Sequence, residues 1–416
     1  MQFAPDGLSH PYATTFVARH LADAPPKTAS KNWHDLPSEE LQCEWVDDLS
    51  QLRQLVPLWK RLAECCLCPN VFYEPQLLLP AWEHLRTGKV RIAVVRSIQR
   101  ASTTEEPVLC GLFPLEINSV GLGLPFRSAK LWQHVHCFLN TPLVRSDVAN
   151  STIEALLQFL SSDEERIQLL HLNNVSAEGP FQDALIDLLQ SEKWKYQVKQ
   201  VTRRALFVRR SETDQFFSEW PRKRRHEINR LERRLAEQGN LEVEEFHVGD
   251  DPLAWAEKFI EFESLGWKGN VGTSISASPQ QSAFLRSAAS ELASENRLMG
   301  LTLSFNGEPI AMKLNFLTHD GGFAFKIAFH PDWAKHSPGT IMEKLNVVKL
   351  HEHPRLRWMD SCAAPNHPMI DALWPERRTL QSLTIAMHRP FAQSALAMLP
   401  LAKYARDTIR GLWQRA

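Results

Sequence analysis

Three stretches of this chain bring together side-chain types that can do chemistry. Glu261-Phe262-Glu263-Ser264-Leu265-Gly266-Trp267-Lys268-Gly269 sets a carboxylate, an indole and an ammonium where a helical pattern gives way to a loop, a place where function concentrates. There Glu263 can take a proton from an attacking amine, while Trp267 and Lys268 can hold an anionic substrate or a phosphate. The plainer alternative is a solvated helix end plugged by Trp267. Asp360 closes a short apolar strand, and Lys326, between Phe325 and Ile327, is expected on the strand face opposite both. A charge inside a strand needs a counter-charge, and Lys326 with Asp360 is the economical pair. An amine must be uncharged to attack, and a positioned carboxylate can take its proton, which makes Asp360, Glu263 and Lys326 the candidate catalytic residues. Finally, Ser337-Pro338-Gly339-Thr340 opens a helix whose N–H groups and positive end can cradle phosphate. Gly339 permits close approach and Ser337 or Thr340 adds a hydroxyl, although the same tetrapeptide also serves as an ordinary cap.

Other clusters speak less clearly. Arg222-Lys223-Arg224-Arg225-His226 begins a basic helix, but Glu227, Glu232 and Glu237 recur at ion-pair spacing and no aromatic alternates with the cations. No specific nucleic-acid partner is expected from it; it reads as a solvated face, or as a face on which Arg225 meets an anionic acceptor. Cys65-Cys66-x-Cys68, His134-x-His136 and His351-x-His353 lack the accompanying ligands of a zinc site, so no metal is predicted. No Gly-x-Ser-x-Gly elbow occurs, which argues against a hydrolase.

The elements that must position these residues follow from pattern. With 416 residues and 44% apolar content, the chain can bury two cores, and its net charge of -1 disfavours whole-molecule attraction to polyanions. Charges through the first residues interrupt any signal-peptide segment, and the odd cysteine count suits a reducing compartment, so a cytoplasmic protein is expected. Residues 1–40 read as a mobile leader. Helices are predicted over Leu49 to Ala63 and Gln76 to Leu85, with strands over Lys89 to Arg96, Val108 to Ile117 and Arg166 to Leu172. Then come the basic helix Pro221 to Leu235, a strand from Leu241, and a helix from Leu253 to Leu265. Leu298 to Phe305, Asn306-Gly307 and Pro309 to Leu317 spell a hairpin, followed by a strand Phe323 to Phe329. A helix to about His351, the strand Arg357 to Asp360, a helix near Met369 to Leu373 and a strand Thr379 to Met387 complete the order. The first half shows a blurred copy of it. Residues 390–416 form a basic amphipathic tail suited to docking on the protein's own surface or to peripheral membrane contact.

Phe72-Tyr73-Glu74-Pro75 with Trp82, Arg233-Arg234-Leu235-Ala236-Glu237-Gln238-Gly239, Trp267-Lys268-Gly269, Phe325-Lys326 with Asp332, Ser337-Pro338-Gly339 and Asp360-Ser361-Cys362 together resemble the CelD-like branch of the GNAT acetyltransferases. That branch is named for a bacterial cellulose-biosynthesis protein and is related to the Fem aminoacyltransferases, which carry two GNAT-like domains. The resemblance implies an α/β fold of tandem GNAT-like domains, each a mixed, mostly antiparallel sheet flanked by helices. The expected division is 41–210 for an acceptor-shaping domain, 211–388 for the acyltransferase domain and 389–416 for a terminal helix. It further implies acetyl-CoA or another acyl-CoA as donor, with its pyrophosphate on Ser337, Gly339 and Thr340, and direct transfer to an amine or hydroxyl of a small-molecule or glycan-precursor acceptor. The single glycine of this turn departs from the longer glycine-containing turn common in the family. A tRNA-dependent Fem-like transferase and a non-catalytic module of polysaccharide assembly are the alternatives.

Overall fold

The computed structural model describes residues 40–97, 107–119, 127–162, 166–266 and 272–399. Residues 1–39 of the expected leader, 400–416 of the expected terminal helix, and Trp267 and Lys268 lie outside them.

Both halves of the chain run through the same elements. In the first, β1 (Leu41–Val46) leads to α1 (Leu49–Gln54), α2 (Val56–Glu64) and α3 (Pro75–His84), then to antiparallel β2 (Val90–Ser97), β3 (Leu109–Ser119) and β4 (Arg127–Leu131). A short β5 (Leu143–Val144) precedes α4 (Ala149–Ser162), which crosses to β6 (Ile167–Ser176), parallel to β4; α5 (Pro180–Ser191) and β7 (Tyr196–Val208) follow. After α6 (Thr213–Ser218) and α7 (Arg222–Ala236), the second half repeats the order. It comprises β8 (Leu241–Glu245), α8 (Pro252–Ser264), α9 (Pro279–Ser294) and antiparallel β9 (Leu298–Phe305), β10 (Glu308–Leu317) and β11 (Gly321–Phe329). Next come α10 (Pro338–Glu352), β12 (Trp358–Asp360), parallel to β11, and β13 (Glu376–Ala386).

Local chemistry explains most of these boundaries. The hairpin turns at Asn306 and Gly307, both at positive φ as its tight turn requires. The helix predicted over Leu49 to Ala63 is two, because Pro57 lacks an N–H and instead starts a new first turn. The helix expected near Met369 shrinks to a 3₁₀ turn at Ile370–Ala372. β7 and α9 were not anticipated; polar residues interrupt the apolar pattern of both. Against one sheet face, Phe259 and Phe284 of α8 and α9 pack with Phe316, Phe323 and Phe325. Against the other, Ile228 and Leu235 of α7 and Ile341 and Met342 of α10 pack with Leu301, Leu303 and Ile310. At the chain's end, Ala392 and Leu396 sit on Leu169 and Ala386.

The last strands of the two halves trade places. β13 lies between β6 and β7, antiparallel to both, and β7 pairs with β12, so a single sheet runs β1-β2-β3-β4-β6-β13-β7-β12-β11-β10-β9-β8. This register sets Arg204 of β7 directly opposite Arg378 of β13. Two like charges so placed repel. Asp360 on β12 neutralises the clash: its Oδ2 accepts from Arg204 Nη2 and Arg378 Nη1, each at 2.7 Å, and its Oδ1 accepts from the Cys362 N–H at 2.9 Å. Asp360 is fully buried. Burial alone would raise its carboxyl, but the Arg204 and Arg378 guanidiniums outweigh that and hold it below the usual range.

Removing this carboxylate leaves two buried cations without a counter-charge. Asp360→Asn is expected to lower unfolding free energy by about 3–5 kcal/mol, read from urea denaturation, and an unchanged midpoint would refute the role. Because the folded carboxyl titrates below its unfolded value, its contribution is present above pH ~4 and fades as pH falls further. The acid limb of the stability curve is therefore expected to flatten in Asp360→Asn.

Candidate functional site

Beyond three pairs of residues, the parallel strands β11 and β12 part. They are in register only over Gly321↔Trp358, Gly322↔Met359 and Phe323↔Asp360. β11 runs on to Phe329, whereas the chain after Asp360 turns away: the Ser361 N–H donates to Ala205 O of β7 at 3.2 Å, and Cys362 takes a left-handed conformation, φ 53°. Among the described residues no strand pairs with this far edge of β11, so its backbone groups border a wedge.

The helix α10 begins at the mouth of that wedge. Ser337, also left-handed (φ 52°), breaks the 3₁₀ turn Pro331–His336 from the helix, and its side chain makes no capping bond. Pro338 has no N–H to offer, and the first-turn N–H groups that follow lie at the positive end of a 15-residue helix. A Cβ on Gly339 would meet Phe329 Cδ1 at 3.5 Å and Ile327 Cδ1 at 4.0 Å, which places Gly339 directly against the end of β11. Ser337, Gly339 and Thr340 thus stand together beside the wedge.

On the sheet's other face sit Glu263 and Lys326. Their pairing replaces the expected one: Lys326 Nζ lies 3.4 Å from Glu263 Oε1, while Asp360 is held by the two arginines. The reason is a β-bulge. Leu314 faces Lys326 but Asn315 faces Ala324, so Phe325 is an extra residue in β11. Phe325 consequently shares a face with Lys326, whose Nζ lies 5.7 Å from its ring, and only Ile327 points the opposite way, into the core under α10. The carboxylate of Glu263 is buried at the end of α8, and its Oε2 accepts from the Ile275 N–H at 2.8 Å. Arg225 is not part of this group: it lies on α7, on the α10 side of the sheet, with Nη1 3.5 Å from Phe217 O.

Sequence reasoning overlooked two buried polar clusters. Arg204 and Arg378 are one. The other runs beneath α10, where Lys313 Nζ donates to Glu343 Oε2 at 2.7 Å, Asn346 Nδ2 to Glu343 Oε1 at 3.0 Å, and Asn315 Nδ2 to Asn346 Oδ1 at 2.9 Å. Lys313 and Asn315 stand in an otherwise apolar strand, a pattern that signals a required partner. Cys362, next to Asp360, has its thiol pushed well above the usual range, first by burial and then by the Asp360 carboxylate. Among the described residues no His, Cys, Asp and Glu side chains cluster as a metal site would need.

In the first half the corresponding wedge, between β4 and β6, is filled by the chain itself. The segment after β4 runs beside the end of β6, with the Asn140 N–H donating to Asn174 O at 3.0 Å, Asn140 Nδ2 to Asn173 O at 2.9 Å, and Asn174 Nδ2 to Phe138 O at 2.8 Å. From there Phe138 and His136 reach the second half, with ring centroids 5.9 Å and 5.5 Å from Phe325.

Residues 222–367 match the family model described as an acetyltransferase (GNAT) domain, so the chain carries a GNAT-type acyltransferase domain, and that span includes both the turn at 337–340 and the Glu263–Lys326 pair. No curated protein matches the chain by sequence. Among solved structures, FemX superimposes with a TM-score of 0.54 at 10% identity, over 84% of this chain and 99% of that one. A conserved protein of unknown function from Bacteroides thetaiotaomicron gives 0.50 at 9% identity, over 83% and 100%. A tandem GNAT protein from the clavulanic acid biosynthesis pathway gives 0.41 at 15% identity, over 84% and 99%. The first two likenesses show the fold: two GNAT-like units in one mixed, mostly antiparallel sheet flanked by helices.

His134, in the segment joining the halves, packs edge-on against Phe284 and its pKa is lowered to about 3, chiefly by burial. An unfolded histidine titrates near 6.5, so the unfolded chain gains a proton that the folded one refuses. Stability is therefore expected to fall as pH drops from 6.5 towards 5, by about 1.4 kcal/mol per pH unit for this group. In His134→Phe that part of the slope should vanish, as read from denaturation at several pH values.

Proposed function

We propose that the chain is an acyl-CoA-dependent N-acyltransferase of the CelD-like branch, acting by direct transfer in the cytoplasm. The observation that carries this reading is the parting of β11 and β12 beneath the start of α10, with a buried carboxylate–ammonium pair on the opposite face. The donor's pyrophosphate lies on Ser337, Gly339 and Thr340, where the Gly339 N–H and the two hydroxyls meet it at the positive end of the helix. The pantetheine arm follows the unpaired edge of β11, whose N–H groups polarise the thioester carbonyl. The acceptor amine attacks from the Glu263 side. The new C–N bond forms, Glu263 Oε1 takes the amine proton, and the C–S bond breaks to release CoA as the thiol once it gains a proton. Lys326 supplies the counter-charge that a buried carboxylate needs.

Two further features support this assignment. Cys362, the thiol nearest the strand end, is kept protonated by its surroundings and so is a poor nucleophile, which favours transfer without an acyl-enzyme. The first half has its wedge filled by residues 132–140, which leaves donor binding to the second half and gives the first half the task of walling the acceptor side. There His136 and Phe138 contact Phe325, beside Lys326. For the acceptor, we favour an amine on a small molecule or glycan precursor, consistent with the branch's link to polysaccharide assembly.

Isothermal titration with acetyl-CoA and longer acyl-CoAs tests the donor assignment. Gly339→Ala fits by ordinary contact and should bind as wild type does, whereas Gly339→Asp should bind at least ~10-fold more weakly. Thermal melting of the Asp and Ala variants side by side separates lost binding from lost folding. Absence of acyl-CoA binding in the folded wild type would reject the proposal in favour of a tRNA-borne donor or a non-catalytic role. Glu263→Gln keeps an oxygen acceptor for the Ile275 N–H but cannot take a proton; kcat should drop about 10²-fold with acyl-CoA affinity unchanged.

A further inference from the structure

At the end of the sheet opposite the phosphate turn, the two halves enclose a cavity of about 250 Å³. Its walls come from α2 and α3 on one side, and from the start of β9, the β10–β11 turn and the loop before β12 on the other. Most of its charged groups already satisfy one another. Glu74 accepts from Thr318 Oγ1 at 2.8 Å and from Arg297. Glu295 meets Lys60 and Arg297, and accepts from Gln76 Nε2 at 2.6 Å.

What remains is a matched set of open groups. Gln76 is 2% exposed, yet its Oε1 has no hydrogen-bond partner. The donation from Nε2 to the Glu295 carboxylate fixes which way this amide faces, since a flipped amide would set oxygen against oxygen. The Gln76 oxygen therefore awaits a donor. On the same lining, the Arg355 guanidinium and the Glu64 carboxylate form no side-chain ion pair or hydrogen bond among the described residues. A buried acceptor and a carboxylate call for an ammonium, and a guanidinium calls for a carboxylate.

We propose that this cavity is a second ligand site, separate from the acyl-transfer site, that takes a small zwitterion bearing an ammonium and a carboxylate on a short skeleton, as an α-amino acid does. The carboxylate pairs with Arg355; the ammonium donates to Gln76 Oε1 and faces Glu64. Since both halves contribute walls, an occupant fastens α2 and α3 to the turn between β10 and β11.

The test is calorimetric titration of the full chain with the proteinogenic α-amino acids, alongside acetate and methylamine as the separate ends. Saturable binding of an amino acid, weakened at least ~10-fold in Arg355→Ala and in Gln76→Met, is expected, with acetate and methylamine each failing to bind. Arg355 is exposed, so its variant keeps the test valid if Gln76→Met does not fold. Acyl-CoA titration of the Arg355 variant should match wild type, which keeps this site distinct from the donor site. Binding of no amino acid, binding unaffected by Arg355→Ala, or acetate binding as tightly as the amino acid would each overturn the proposal.

Discussion

A single carboxylate between two guanidiniums governs how this molecule is put together. Arg204 and Arg378 face each other across β7 and β13 because the two halves exchange their last strands, and that register is tolerable only with Asp360 between them. The exchange joins what would otherwise be two sheets into one. It also fixes β12 against β7, and so decides where β12 leaves β11. The wedge beside β11 is thus a consequence of the joint. A buried triad of this kind contributes less to net stability than to ruling out other registers, because desolvation consumes most of its Coulombic gain.

The repeat of elements is not a repeat of every detail. Both halves carry three antiparallel strands, a crossover helix and a parallel strand, and so both could form a wedge. In the first, Trp132 to Asn140 occupies it, with asparagine side chains pairing the inserted backbone. In the second, a short turn led by Ser337 passes straight into α10, and among the described residues no strand pairs with the far edge of β11.

Beneath α10 the polar chain Lys313–Glu343–Asn346–Asn315 ties that helix to β10. Each member is buried, so none can exchange its partner for water without cost. Such a network holds α10 at a fixed height over the strands.

Much of this was legible in the chain. Asn306-Gly307 dictates a hairpin through positive φ alone, Ser337-Pro338-Gly339-Thr340 a helix start, and the order of elements after Leu298 a GNAT core; these are local signals, carried by neighbouring residues. The pairing of Lys326 was not legible. A bulge at Phe325 turns the period-two pattern by one residue, and nothing in the sequence Phe325-Lys326-Ile327 announces it. Nor could Asp360 be assigned to Arg204 and Arg378, which reach it from strands 156 and 18 residues away. The sequence by itself determined most of the elements, the α/β class and the turn beside the wedge, because propensity, capping and turn chemistry act over a few residues. Only the tertiary structure decided which strand lies beside which, and with it that Glu263 belongs to Lys326 and Asp360 to the joint, because a buried charge takes its partner from whatever the sheet order places next to it.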